Sequence, residues 1–170
     1  MRKWGKGKTA KAKVGHPGKP FLFLRRKRTF HPKNPNKKIR VVFICPQGAG
    51  SREYGLFLMK LLKENKINSF FEISSFGEEI FYDNKAKKLL PSIERRMRQP
   101  RLELVERADY IFFSYADVKR PTQILGALKR GNATSFTIIG YREDVSKGKK
   151  NIESIFENVI LKEKFKEEGN

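Results

Sequence analysis

The sequence predicts an α/β fold, a three-layer sandwich around a four-stranded parallel sheet, preceded by a disordered or extended basic arm. Three observations carry the prediction. Four short β-branched or aromatic runs recur along the chain, helical spacings separate them, and the positive charge is concentrated ahead of residue 40.

Val41, Val42, Phe43 and Ile44 make the first run, apolar without alternation, as a central strand buried on both faces requires. The turn Cys45-Pro46-Gln47-Gly48-Ala49-Gly50 follows at once. Tyr54, Phe57, Leu58, Leu61 and Leu62 then fall at i, i+3, i+4, i+7 and i+8, one face of a helix that Asn65 to Asn68 closes. Further strands are expected at Ser69 to Ile73, Tyr110 to Ser114 and Phe136 to Gly140. Between the second and third, KAKKLL and SIERRMRQ read as helical stretches divided by Pro91, with Arg95, Arg96, Arg98 and Arg101 clustered in the latter. Pro121 to Arg130 is helical, with Gly131 as its C-cap. Ile152, Ile155, Phe156, Val159 and Ile160 repeat the first helix's spacing, and the remainder, KEKFKEEGN, is expected to fray. Strands alternating with helices imply parallel pairing through right-handed crossovers.

The charge divides the chain into residues 1–38, an RNA-binding arm, and residues 39–170, the α/β domain. Fifteen of the 38 Lys and Arg lie in the first forty residues, which contain no Asp or Glu, so the net +20 is a +15 segment joined to a nearly balanced body. A tail of one sign on a balanced domain presents its charge to a polyanion without burdening the core. Gly and Pro interrupt any helical or strand period in the arm, which is expected to be disordered by itself. The basic side chains Arg2, Lys3, Lys6, Lys8, Lys11, Lys13, Lys19, Arg25, Arg26, Lys27, Arg28, Lys33, Lys37 and Lys38 are read as phosphate contacts. Trp4, Phe21, Phe23, Phe30 and His31 are available to stack on unpaired bases. RNA is favoured over DNA, because no helix-turn-helix, zinc-finger or basic-zipper pattern is present. Arg25 to Arg28 would also serve as a nuclear-localisation signal.

In composition the arm resembles the extensions of ribosomal proteins. The expected partners are ribosomal RNA and neighbouring ribosomal proteins, in the cytoplasm, with nuclear and mitochondrial locations left open. No apolar run approaches the length of a membrane span, and no secretory signal is expected, since Met1 to Pro20 lacks the apolar stretch that one needs. Cys45 is the single cysteine, so no internal disulfide forms. His16 and His31 lack ligand-bearing neighbours; neither a metal nor a cofactor is expected.

The strand-to-helix turn Cys45 to Arg52 is where ligands bind in parallel α/β sheets. Gly48, Ala49, Gly50 and Ser51 would turn backbone N–H groups inward as an anion nest, with Arg52 as a phosphate clamp. Simple tight strand-to-helix packing around a small buried Cys45 accounts for the same residues.

From Ile39 to Ile160 the chain distantly resembles the low-molecular-weight phosphotyrosine phosphatase family. The likeness rests on Phe43-Ile44-Cys45, the Gly-containing loop to Arg52, Ser74-Ser75-Phe76-Gly77 after the second strand, and Arg98-Gln99 ahead of Ala108-Asp109-Tyr110-Ile111. It implies the four-stranded parallel sheet and, for an active member, Cys45 as nucleophile and Arg52 as phosphate ligand. The chain departs from the family in spacing, Cys-x6-Arg for Cys-x5-Arg, and in lacking the family's Asp-Pro acid, for which Glu143 or Asp144 would substitute. Cys45-x-x-Gly48 followed by Ser51 also resembles the phosphocysteine loop of sugar phosphotransferase IIB subunits, although the long connection between the second and third strands fits them badly. The function expected is therefore RNA binding by a ribosome-associated protein with a non-catalytic, phosphatase-like domain. The alternative is a phosphatase-like hydrolase.

Overall fold

The computed structural model describes residues 28–82, 91–114, 119–138 and 145–168. Its centre is strand β2 (Ile39–Cys45), every residue of which is buried except the half-buried Arg40. On one side β2 pairs in parallel with β3 (Phe71–Gly77), and on the other with β4 (Tyr110–Ser114), which pairs in parallel with β5 (Thr134–Ile138). The order β3-β2-β4-β5 gives an α/β protein with a four-stranded parallel sheet.

Alternation along β2 assigns the two faces. Val41 and Phe43 point toward α1 (Ala49–Glu64) and α4 (Val145–Ile155), in a core with Tyr54, Leu58, Leu62, Phe112 and Ile152. Phe43 and Phe112 stack there on adjacent strands, ring centroids 4.8 Å apart. Val42 and Ile44 point the other way, with Ile111, Phe113, Val105, Ile124 and Ala127, toward α2 (Pro91–Arg107) and α3 (Thr122–Arg130). Helices therefore cover both faces, as doubly buried parallel strands require.

Two strand boundaries shift from expectation. β3 begins at Phe71 and runs to Gly77, because Asn68–Phe70 closes into a 3-10 turn ahead of it. As an edge strand it carries exposed Ser75 and Glu72, so apolar content alone does not mark its extent. β5 begins at Thr134, where its register with Tyr110 is set by Thr134 N–H donating to Asp109 O (3.0 Å). SIERRMRQ extends through Pro100 into one helix ending at Arg107, whereas KAKKLL lies outside the described residues.

The ends of the chain depart further. β1 (Thr29–Pro32) pairs antiparallel with β6 (Phe165–Glu168), which makes a second, two-stranded sheet. KEKFKEEGN therefore does not fray through Glu168: α4 passes through a π-helical turn (Phe156–Ile160) and a last helical turn, α5 (Leu161–Lys164), into β6. The folded body also begins before residue 39. Phe30 is 7% exposed and meets the Phe165 ring edge-on at 6.3 Å, and Phe165 stacks on Phe71 at 5.8 Å. Burying one aromatic from each terminus outweighs the surrounding charge, because each ring removes on the order of 150–250 Å² from water.

Arg28 reinforces the pairing. Its guanidinium donates to Glu167 (2.7 Å) and to Glu157 (2.7 Å), which raises its own pKa and holds the Glu167 carboxyl below its ordinary value.

Candidate functional site

Parallel strands put all their carboxyl ends at one edge, and the order β3-β2-β4-β5 places a topological switch between β2 and β4. The two connections leave in opposite directions there, the place where open α/β sheets generally form a crevice. Cys45 ends β2 at that place. Ile44 pairs with Phe113, so the next step sets Cys45 opposite Ser114 with both side chains on the α1 face.

The turn after Cys45 is closed by its own sulfur. Cys45 Sγ accepts the N–H of Gly48 (2.8 Å) and of Ser51 (3.3 Å), and the side chain is only 2% exposed. Gly48 reaches this geometry at φ 90°, a left-handed conformation costly for residues with a Cβ, and it caps α1 without a side-chain bond. Gly77, ending β3, lies flat against it: a Cβ there would stand 2.8 Å from Gln47 C and Gly48 N. Ser51 is fully buried, its hydroxyl within hydrogen-bond reach of Gly48 O (2.8 Å) and Phe76 O (3.3 Å).

The residues expected to form a phosphate site are thus brought together unequally. Gly48, Gly50, Ser51 and Cys45 pack into one turn, with two N–H groups directed at the sulfur. Ala49 and Arg52 are exposed on the first turn of α1. No hydrogen bond joins Arg52 to Cys45 among the described residues. The extra residue in Cys-x6-Arg lies in this stretch, where Arg52 N–H already bonds Gly48 O (3.2 Å) as part of the helix. Glu143 and Asp144 lie outside the described residues.

Beside this turn is a charged pair that sequence reasoning missed. Glu78 follows Gly77 and is fully buried; its carboxylate accepts from Arg120 (2.8 Å) and from the Tyr82 hydroxyl (3.2 Å). The Arg120 guanidinium also lies 4.0 Å above the Phe113 ring. Burial and the Glu78 charge together raise the Tyr82 pKa. Glu79 N–H donates to Pro46 O (3.1 Å), so this network is tied to the Cys45 turn. Ser114 Oγ, at the carboxyl end of β4, is buried without a hydrogen-bond partner among the described residues. The sequence gives little sign of the pair, since Glu78 and Arg120 stand 42 residues apart and each looks like an ordinary surface charge.

The arginines of α2 divide by position. Arg98 donates to Ile80 O (2.8 Å), which fixes that level of the helix against the carboxyl edge. Arg101 donates to Met97 O within the helix. Arg95 and Arg96, with Ile93 and Met97, lie on exposed turns ahead of Arg98. A groove of about 340 Å³ opens between α2 and edge strand β3, away from Cys45, and its charged walls include the Arg40–Glu72 pair (3.2 Å).

Of the arm residues, Arg2, Lys3, Trp4, Lys6, Lys8, Lys11, Lys13, Lys19, Arg25, Arg26 and Lys27 lie outside the described residues, as do Phe21 and Phe23. The remainder belong to the body. Arg28 is held by two glutamates, and Lys33 Nζ and Lys38 Nζ donate to Lys162 O (2.9 Å) and Ser69 O (2.7 Å). Lys37 is 70% exposed, its Nζ 4.0 Å from Asp109. Phe30 cannot stack on a base from its buried position, and His31 Nε2 stands 3.0 Å from the Glu168 carboxylate. Assigning these to a free arm is corrected by the β1–β6 pairing. No described helix is long and apolar enough to cross a membrane. Comparisons with known protein families, with curated proteins and with solved structures give no match to this chain.

Proposed function

We propose that the protein binds RNA through its basic N-terminal arm as a ribosome-associated protein in the cytoplasm, with ribosomal RNA and neighbouring ribosomal proteins as partners. The observation that carries this reading is the +15 charge in forty acid-free residues attached to a nearly balanced body. The phosphatase-like α/β body serves as the folded support, and its turn at Cys45 is a packing device in place of a catalytic loop. Its sulfur is buried and already satisfied by two N–H groups, while Arg52 faces solvent.

The pairing of β1 with β6 sharpens the test. Removing residues 1–27 takes away ten of the fifteen basic side chains and leaves Arg28 and the β1–β6 pairing in place. If about six of those ten contact phosphates, the arm by itself accounts for a loss of roughly a thousandfold in affinity between about 50 and 200 mM salt. The shortened chain has a much shallower dependence. Equal RNA binding by the two chains across the salt series, or a failure of the full chain to co-sediment with ribosomes at low salt, refutes the reading.

A second reading is favoured by one observation, the position of Cys45 at the switch point with N–H groups directed at its sulfur. In it the protein is a phosphomonoester hydrolase with Cys45 as nucleophile, Arg52 as clamp and Glu143 or Asp144 as acid. Hydrolysis of an aryl phosphate that is abolished in Cys45→Ser supports it. Absence of turnover removes it.

A further inference from the structure

We infer that the amino edge of the sheet is a second nucleic-acid-binding face, contacting an RNA phosphate backbone with Lys37, Lys38, Lys63, Lys66, Arg107 and Lys129. This rests on the RNA-binding reading and adds a place on the folded body to it.

Topology gathers these side chains. The four strands run in parallel, so their amino ends share one edge, and the crossover helices α1, α2 and α3 return to that edge with their C-termini. Lys37 and Lys38 precede β2, Lys63 and Lys66 end α1, Arg107 ends α2 and Lys129 ends α3; all six are exposed. Backbone and side-chain bonds join the neighbouring segments: Lys38 Nζ to Ser69 O (2.7 Å), Asp109 N–H to Arg40 O (2.8 Å) and Thr134 N–H to Asp109 O (3.0 Å).

The acids at this edge are mostly engaged. The Asp109 carboxylate accepts the Arg40 N–H at 2.8 Å and lies 4.0 Å from both Lys37 and Lys164. Glu106 pairs with Arg130 (2.6 Å) and Glu72 with Arg40 (3.2 Å), while the Glu163 carboxylate takes the Tyr110 hydroxyl. Glu64 is exposed there as well. Cations at helix C-termini complement the helix dipole, which accounts for a residue such as Lys63 or Lys129. It does not account for Lys37 and Lys38, which belong to a turn.

Lys66 provides the sharpest sign. Ile67 N–H bonds Leu62 O and Lys66 N–H bonds Lys63 O, both at 3.0 Å, which is the Schellman pattern with Lys66 at its left-handed position, φ 58°. Glycine is the residue that fits this position without strain. A lysine in its place gives up stability and adds a cation to the edge. At about 4.8 Å per strand the four strands span roughly 14 Å, long enough for the cations to meet more than one phosphate of a backbone.

The test uses the full chain, a fluorescein-labelled RNA hairpin and a salt series. The triple variant K37Q/K66Q/K129Q is compared with R95Q/R96Q/K119Q, which removes the same charge from the opposite edge. The first lowers the slope of log affinity against log salt by about 2 to 3, since each phosphate contact contributes about 0.7–0.9, and the second leaves it nearly unchanged. Equal slopes for wild type and the amino-edge variant overturn the inference while leaving the arm reading intact, as do equal losses from the two variants, which reduce the effect to net charge. A wild-type chain that does not bind the RNA at low salt overturns both. Lys66→Gly raises the melting temperature by about 2–4 °C and weakens binding, a combination that relief of strain alone does not produce. Undiminished affinity in this variant would count against the face.

Discussion

Replacing Phe30 by alanine separates two roles for an aromatic side chain in a basic segment. As a base-stacking residue of a free arm, Phe30 would contribute to RNA binding and nothing to folding. In the structure it is 7% exposed, paired through β1 with Glu167 and edge-on to Phe165. A buried phenylalanine removes about 150–250 Å² from water, worth on the order of 4–6 kcal/mol at ~25 cal/mol per Å². Extended-chain references overstate that gain, and a terminal two-stranded sheet can partly close over the space left behind. The expected loss is therefore about 3 kcal/mol, near the lower end for Phe→Ala. For a body of this size that lowers the melting temperature by about 6–12 °C. Urea unfolding and a thermal scan measure it on the full-length chain, and salt-dependent RNA binding at 20 °C completes the experiment. Phe30→Ala with the wild-type melting temperature and reduced RNA affinity would return residues 29–38 to the arm.

Further perturbations test the site and its surroundings. Gly77→Ala drives a Cβ against the backbone of Gln47 and Gly48 and opens the closed turn, at a cost of about 1–3 kcal/mol. Because Cys45 is the single thiol, its reaction with a colorimetric disulfide reagent becomes faster in this variant, and an unchanged rate would show the turn intact. Glu78→Gln leaves Arg120 without its carboxylate in a nearly closed site, and urea unfolding should show a loss of about 3 kcal/mol. Tyr110 has its pKa raised by burial and by the neighbouring Glu163, so the fold holds it neutral while an unfolded chain releases the proton near pH 10. Stability from this source is complete below that pH and falls as pH rises above it; Tyr110→Phe flattens the alkaline limb of a melting-temperature profile. Glu167, whose pKa is lowered by Arg28, gives the opposite sign: its contribution is present above the ordinary carboxyl range and disappears as pH falls through the folded value. Glu167→Gln therefore reduces the acid sensitivity of the β1–β6 pairing, read by hydrogen exchange at Phe30 and Phe165.

Much of the sheet was legible in the amino-acid order alone. Val41 to Ile44 is apolar at four successive positions, a pattern that a strand covered on both faces needs, and Tyr54 to Leu62 marks its helical cover by spacing. The concentration of charge ahead of residue 40 is likewise a property of the order of residues. These features are local, so no knowledge of distant partners is required to see them.

Tertiary structure decided the rest. Phe30 and Phe165 are each surrounded by charge in sequence, and 135 positions separate them; only their contact, with Arg28 held between Glu157 and Glu167, makes strands of the two ends. Glu78 and Arg120 become a buried pair because successive crossovers bring the carboxyl ends of β3 and β4 to one edge. At Cys45 the sequence supplied a cysteine, glycines and an arginine in suggestive order. The fold directed the Gly48 and Ser51 N–H groups to the sulfur and left Arg52 in solvent, because the helix begins at Ala49 and its periodicity, not the loop, sets where Arg52 points. The order of residues thus established that most of the net charge lies in the first forty positions, and long-range packing determined which of those charges belong to the folded body.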